Sequence, residues 1–399
     1  MKKLLMILGT AAVAASANAA DQTGTVTTNG VMWTYSELNE TAKTVTLGRY
    51  ASDNDFDCAM PKDTSWNASE IPSSFVIDGE TYVVTKFAAR AFYYCTGLTG
   101  ALRIPSSVTS LGGKEVFRYC SGLTRVASWG GLTALCQSFM QNCSNVEGPL
   151  PSFSGFTSLN KTSGADSGWA AFADCGKLSG VCVNVNAPLY QRQFLRKSYA
   201  MKMLLVGPNV KLNYTSATTA ADGGGPLSSV TGCNVVVPAS LKPFTPSGTD
   251  NDIFYYGPQE DFDLSIDETA RVVTATPATT NGLIRVLACA PLFKAHLGFD
   301  TRVNITNTLE MAEGTVTADM LNAVEFNTVL LTFKVKTQAA LDSLLAAVPE
   351  STYPSLAIDP SGAKENLVLP HGRRIYVLFA GERTGTYKSI PNGLVISVK

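Results

Sequence analysis

The sequence predicts a mainly β chain: a repeat solenoid followed by a β-rich domain with one or two helices. Three observations carry this. A motif with Phe92, Cys95, Leu98, Leu102, Ile104, Pro105 and Val108 recurs at Phe117, Cys120 and Leu123, then at Cys143 and Val146, and again at Phe172, Cys175 and Leu178. The steps from cysteine to cysteine are 25, 23 and 32 residues, and such a period marks units that bury their apolar face against their neighbours. From about Phe262 the repeat gives way to short alternating runs with one helical stripe.

Each part of the repeat has a physical reading. Leu102 and Ile104 alternate with Ala101 and Arg103 as a short strand does. Pro105 ends that strand because it lacks an N–H for the ladder. Residues 88–94 form a short helical or 3₁₀ segment, which puts Phe92 and Cys95, three apart, on one inward face. In the third unit either Phe139 or Met140 fills the aromatic position, and residues 161–168 are an insertion before the fourth.

These residues resemble the BspA-type (treponemal-type) leucine-rich repeat. The resemblance rests on Ala91-Phe92-x-x-Cys95-x-x-Leu98, on Ile104-Pro105-Ser106-Ser107-Val108 and on Val116-Phe117-x-x-Cys120-x-x-Leu123, and it covers residues 86–185. It implies a leucine-rich-repeat solenoid in an exported bacterial protein, and a role in surface attachment.

In chain order, residues 1–19 read as a signal peptide. Lys2 and Lys3 precede an apolar run too short to span a membrane, and Ala17-Asn18-Ala19 fits the small-x-small cleavage rule. No transmembrane segment is expected once it is removed. Residues 20–214 are read as the capped repeat domain. Its entry is a hairpin with strands 32–38 and 43–47 around the turn Asn39-Glu40-Thr41-Ala42, and residues 75–85 help to cover the first unit. Asp267-Glu268-Thr269-Ala270-Arg271 nearly copies that turn and reads as the same hairpin device used a second time. Residues 188–203 are expected to be a helix closing the stack.

Residues 215–257 are a linker or a degenerate repeat. Ala220 to Pro226 has a linker's composition, whereas Val235 to Leu241 faintly echoes the repeat. Residues 258–399 are the β-rich C-terminal domain, with strands expected at 263–266, 271–275, 283–288, 302–306, 329–336, 355–358, 374–380 and 394–398. A helix over 337–349 is capped by Thr337 and striped by Leu341, Leu344, Leu345 and Val348.

Charged residues are 16% of the chain, and the formal net charge is −1. That argues against a nucleic-acid partner, which requires a basic surface to release counterions. Cys95, Cys120, Cys143 and Cys175 share one repeat position and are expected to stack as an unpaired ladder, since free cysteine packs as a small hydrophobe. The pairing of Cys58, Cys136, Cys182, Cys233 and Cys289 is open. Asp53, Asp55 and Asp57 alternate as calcium loops begin. Cys58 stands where glycine belongs and Thr64 where glutamate belongs, so the loop reads as solvated. No metal or other cofactor is expected. His296 and His371 have no nucleophile and orienting partner in sequence, and both read as surface or packing residues.

The expected function is an interaction or adhesion module, not an enzyme, exported to the periplasm, cell surface or medium. Its partner would be a protein or glycan on the solenoid's sheet face, with Arg103, Arg125, Ser128 and Trp129 as contacts, Arg and Trp being common hot-spot types; the competing and favoured reading has Trp129 plugging the core where proline is missing and both arginines merely solvated. The alternatives are a glycan-active enzyme on a solenoid-like scaffold and a passive envelope component. An enzyme would be marked by two carboxylates roughly 5–10 Å apart in a deep groove.

Overall fold

The computed structural model describes residues 22–157, 159, 170–186, 188–189, 194–212, 225–244, 248–303, 308–311, 324–326, 330–335, 357–359 and 374–379. The signal-peptide region, the insertion at 161–168, the 337–349 helix, His371 and the 394–398 strand lie outside these residues. The described chain is mainly β, with one α-helix.

An N-terminal sheet opens the fold. It contains β1 (Gly24–Thr28), β2 (Val31–Asn39), β3 (Thr44–Leu47) and, after the small hairpin of β4 (Arg49–Ser52) with β5 (Asp55–Asp57) and the two-residue β6 (Trp66–Asn67), β7 (Ser74–Ile77) and β8 (Glu80–Phe87). The β2–β3 hairpin forms on the turn read from sequence, with the Ala42 amide donating to Asn39 Oδ1 at 2.8 Å. Trp33, Phe75, Val84 and Phe87 from this sheet are buried against the first repeat unit.

The repeat strands follow. β9 (Leu98–Arg103) pairs in parallel with β6 and, after the short β10 (Ser110–Leu111) has joined β8, with β11 (Leu123–Ser128). Farther along, β12 (Gly180–Val183), β14 (Met203–Val206), β16 (Asn234–Pro238) and β17 (Asp252–Tyr256) form a second parallel sheet. Beside it β13 (Pro188–Leu189) pairs in parallel with β15 (Lys211–Leu212). The helix expected over 188–203 is therefore not formed. Residues 188–189 are strand, and 195–201 repeat the turn of the earlier units, because Leu195, Ser198 and Met201 occupy its three inward positions.

That turn is the common element of the stack. Its triads are Phe92/Cys95/Leu98, Phe117/Cys120/Leu123, Met140/Cys143/Val146, Phe172/Cys175/Leu178, Leu195/Ser198/Met201 and Leu227/Val230/Cys233, all fully buried. Met140, not Phe139, thus takes the aromatic position in the third unit. Within a turn, amides bond back three residues, as in Cys95 N to Phe92 O at 3.1 Å and Leu98 N to Cys95 O at 3.2 Å. The turn does not continue as a helix because the residue before the central position is left-handed each time: Tyr94, Tyr119, Asn142, Asp174, Lys197 and Ser229 have φ from 54° to 64°, which a right-handed helix excludes.

Successive turns are joined by main-chain bonds: Phe92 N to Val116 O, Phe117 N to Phe139 O, Met140 N to Ala171 O, Phe172 N to Phe194 O and Leu195 N to Pro226 O, all 2.8–2.9 Å. The central side chain adds another link. Cys120 Sγ donates to Phe92 O (2.9 Å), Cys143 Sγ to Phe117 O (3.0 Å), Cys175 Sγ to Met140 O (3.3 Å) and Ser198 Oγ to Phe172 O (2.9 Å). All nine cysteines are free thiols. Burial pushes the Cys143 thiol up to about 12 and those of Cys120 and Cys175 well above their ordinary value, so these sulfurs act as neutral donors and packing atoms, not as nucleophiles.

Beyond Tyr256 the chain enters a mixed sheet of β18 (Phe262–Asp267), β19 (Val272–Pro277), β20 (Asp300–Val303) and, once β21 (Thr308–Met311) has intervened, β22 (Val324–Phe326). A second sheet holds β21, β23 (Leu330–Val335), β24 (Ala357–Asp359) and β25 (Arg374–Phe379). The strand expected at 283–288 is instead part of α1 (Thr280–Leu292), continued by a π-helical turn at Phe293–Leu297. Leu283, Val286, Leu287 and Ala290 are buried at helical spacing, and Thr279 Oγ1 accepts the Gly282 amide at 3.0 Å as its cap.

Candidate binding surfaces

The residues expected on the sheet face separate into exposed and buried positions. Arg103 is exposed at the end of β9 and Arg125 in the middle of β11, and among the described residues neither forms an ion pair or side-chain hydrogen bond. Ser128 is half-buried and its Oγ accepts the Gly130 amide at 3.0 Å. Trp129 is 5% exposed, so it plugs the core and is removed from the candidate contacts. Its ring stacks on Phe153 at 5.1 Å and meets Phe139, Phe156 and Phe172, while its Nε1 donates to Pro151 O at 3.1 Å. With no proline ending this strand, the indole fills the space above the irregular third unit.

A different surface is built on the edge where the repeat turns emerge. Tyr94 and Tyr119 occupy the same left-handed position in consecutive units, so their rings are brought into register and stack at 4.1 Å and 17°. Tyr94 is 42% exposed. Tyr93 meets both rings edge-on, at 4.8 and 5.9 Å, and Phe56 closes against Tyr93 at 5.8 Å. Sequence reasoning missed this ledge because the tyrosines sit in the unconstrained positions of Phe-x-x-Cys. The clue was present: Tyr93-Tyr94 and Tyr119 precede cysteine in adjacent units.

Buried charge holds the ledge in place. Glu115, 5% exposed, accepts Arg90 Nε at 2.6 Å on one oxygen and Arg118 Nη1 on the other. Those guanidinium groups then lie on aromatic faces, Arg90 over Phe56 and Tyr93 at 5.0 Å each and Arg118 over Tyr119 at 4.8 Å. Arg90 also donates to Asp53 O at 2.6 Å, and Asp53 takes Tyr50 OH at 2.6 Å and Lys114 Nζ at 3.0 Å. The bonds from Tyr50 and Lys114 hold the Asp53 carboxyl below the usual carboxylate range. The acidic loop is thus tied to arginine and lysine: Asp55 and Asp57 both pair with Arg49, at 2.6 and 3.3 Å.

Next to this network lies an open polar cavity of about 440 Å³, lined in part by Glu37, Arg49, Tyr50 and Lys86. Its one lining carboxylate, Glu37, accepts Lys86 Nζ at 2.8 and 2.9 Å and Thr46 Oγ1 at 2.7 Å. Partial burial raises the Glu37 pKa, but the bonds from Lys86 and Thr46 outweigh it and leave this group below its ordinary value.

His296 is half-buried in the π-helical turn. Its Nδ1 lies 3.0 Å from Ser179 Oγ, and burial followed by the nearby Lys202 charge lowers its pKa. It packs so close to Gly180 that a Cβ there would come within 2.7 Å of it.

No protein-family model and no curated protein matches the chain. Among solved structures, a leucine rich cell surface protein from Faecalibacterium prausnitzii aligns with a TM-score of 0.37 at 14% identity, over 78% of this chain and 70% of that one. The pneumococcal vaccine antigen PcpA aligns with a TM-score of 0.19 at 9% identity, over 82% and 96%. A leucine-rich repeat protein from Bacteroides ovatus aligns with a TM-score of 0.13 at 12% identity, over 60% and 98%. Among the described residues no helix is long and apolar enough to cross a membrane.

Proposed function

We propose that the chain is an exported, BspA-type leucine-rich-repeat solenoid acting as an interaction module at or outside the cell envelope, with a protein or glycan as its ligand. The repeat reading is supported by the six buried triads and the bonds that join their turns. The observation that carries the binding reading is the Tyr94–Tyr119 stack, exposed at Tyr94 and braced by Arg118 on Tyr119, by Arg90 on Tyr93 and by the buried Glu115 that pairs with both arginines. Rigid aromatic area beside arginine offers contact at low entropic cost, the composition of binding hot spots. Arg103 and Arg125 on the sheet face are the second contact patch of this reading.

The glycan-hydrolase alternative requires a pair of carboxylates facing one cleft. Glu37 is the single carboxylate lining the cavity beside the N-terminal sheet, so that cavity does not offer such a pair.

The test is a screen of the chain lacking residues 1–19 against immobilised host proteins and glycans. A Tyr94→Ala/Tyr119→Ala double variant and an Arg103→Ala/Arg125→Ala double variant are run in parallel. Binding that is lost in either variant while its melting transition is kept supports the proposal. Ligand binding unaltered by both would place the contact elsewhere, and no binding to any probe would favour a passive envelope component.

A further inference from the structure

Resting on the reading of a binding module, we infer that the cavity between the N-terminal sheet and the first repeat unit is a binding site for one neutral sugar residue of a glycan, with the Tyr94–Tyr119 ledge receiving the residues beyond it.

The cavity's size, about 440 Å³, falls in the range of about 300–1,000 Å³ that small-ligand sites occupy. It is kept open by short residues: Ala51, Ala89 and Gly112 all line it. A Cβ at Gly112 would press on Ala88 Cα at 3.0 Å and Phe87 O at 3.1 Å, so the backbone beside the cavity would have to give to admit it.

Glu37 is placed at some cost. Its φ is 52°, in the left-handed region, and it sits where the β2–β3 register slips between Ser36 and Asn39. Such bulges re-aim a side chain. Here the bulge turns the carboxylate toward Lys86 at the cavity wall.

The charge pattern selects the ligand class. Glu37 is matched by Lys86, and Arg49 is held by both oxygens of Asp55, at 2.6 and 3.0 Å. With each lining charge already matched by a partner, an anion or a cation entering gains little net attraction. A hydroxyl still gains: it donates to a spare carboxylate lone pair and accepts from an ammonium or guanidinium N–H that the pair leaves over. Several hydroxyls on one small ring match several fixed donors and acceptors at once, and the Tyr50 ring supplies an apolar wall.

The cavity is linked to the ledge through Asp53. Asp53 takes Tyr50 OH from the cavity side and Lys114 and Arg90 from the other, at 2.6, 3.0 and 3.4 Å. Ala89 lines the cavity, and its neighbour Arg90 lies over Tyr93. A glycan extended from the cavity on this side would meet Arg90 and Tyr93 before the stacked tyrosines.

The experiment is ligand-observed NMR on the chain lacking residues 1–19, with glucose, galactose, mannose and N-acetylglucosamine as probes, their β-linked oligomers, and glucuronic acid as a charged control. At least one neutral sugar is expected to bind. Glu37→Gln should weaken it by about tenfold or more, as expected for loss of a charged hydrogen-bonding group. Ala51→Phe, at an exposed lining position, should abolish binding without touching the core, so a folding failure of the Glu37 variant leaves the question decided. Tyr94→Ala/Tyr119→Ala should lower affinity for oligomers and leave the monosaccharide unchanged. Preference for glucuronic acid, or sugar binding indifferent to Ala51→Phe, overturns the inference. Protein binding lost with the tyrosines while no sugar binds overturns it too, yet leaves the interaction module standing.

Discussion

The turn Asn39-Glu40-Thr41-Ala42 and the turn Asp267-Glu268-Thr269-Ala270 are nearly one structure in two settings. Each closes an antiparallel hairpin, each has its fourth residue's amide bonded to the first side chain at 2.8 Å, and each is followed by a left-handed residue, Lys43 at 51° and Arg271 at 54°. Their surroundings differ. Glu40 is exposed, whereas Glu268 is 5% exposed. Glu268 accepts Ser152 Oγ, the Phe153 amide at 3.0 Å and Cys182 Sγ at 3.3 Å, and Arg271 donates to Leu150 O at 2.7 Å and Leu297 O at 3.2 Å. Local sequence fixes the shape of a turn, and what lies opposite decides whether that turn is decoration or a joint.

Substitutions made in pairs sharpen this contrast. The largest effect is expected for Glu268→Ala, about 3 kcal/mol of lost stability, because buried donors lose a charged partner. Glu40→Ala should stay within about 0.5 kcal/mol, as exposed substitutions do. Urea denaturation of both variants measures the gap, and equal values would mean that Glu268 is no joint.

Arg271→Ala follows at about 2 kcal/mol, since it leaves two carbonyls short of a charged donor and uncovers the Phe299 ring beneath it. Lys43, whose pairing with Glu80 is surface-exposed, should change by no more than about 0.5 kcal/mol when replaced by alanine. A result with the two reversed would break the comparison.

Asp267→Ala and Asn39→Ala should each cost about 1 kcal/mol, the worth of one local hydrogen bond. Here the two hairpins are expected to agree, and a large difference would show that the turns are not equivalent.

The smallest effect is a pH dependence at His296, on the same joint. Its folded pKa is lowered from the ordinary 6.5, first by burial and then by Lys202. The unfolded chain therefore takes the proton more readily. The contribution is present above the ordinary value and is lost as pH falls through it toward the folded pKa. Melting of the wild type should drop more than that of His296→Gln between about pH 7.5 and pH 5.5, and parallel curves would remove the histidine from the account.

The repeat was legible where chemistry repeated with position. Phe92, Phe117 and Phe172 with their cysteines stand at fixed spacing, and the structure keeps that register. The fifth and sixth turns were hidden because Ser198 and Val230 replace cysteine and Leu195 and Leu227 replace the aromatic residue. Ser198 keeps the hydrogen bond and Leu195 keeps the volume, but neither keeps the letter. The run Leu283 to Ala288 misled because a short apolar segment fits strand and helix alike; the cap at Thr279 was the deciding feature. Among the candidate contacts, Arg103 could be placed outward from alternation, and Arg125 only by its likeness to the first unit, because the β9–β11 register shifts beside it. The missing proline pointed to Trp129 as a core plug, but its partners Phe153 and Phe156, arriving from an irregular part of the third unit, could not be named. The tyrosine ledge required knowing that the residue before each cysteine is left-handed and projects outward.

The position of Glu268 also sets a mechanical path. The backbone enters the C-terminal sheet from the last turn of the stack, at Tyr256, but Glu268 and Arg271 grip residues 150–153 and Cys182, in the middle of it. A pull on the C-terminal sheet is therefore shared between the end of the coil and its waist. The last turns lie inside a closed loop, so they are shielded from peeling one by one until the Glu268 clasp has sheared.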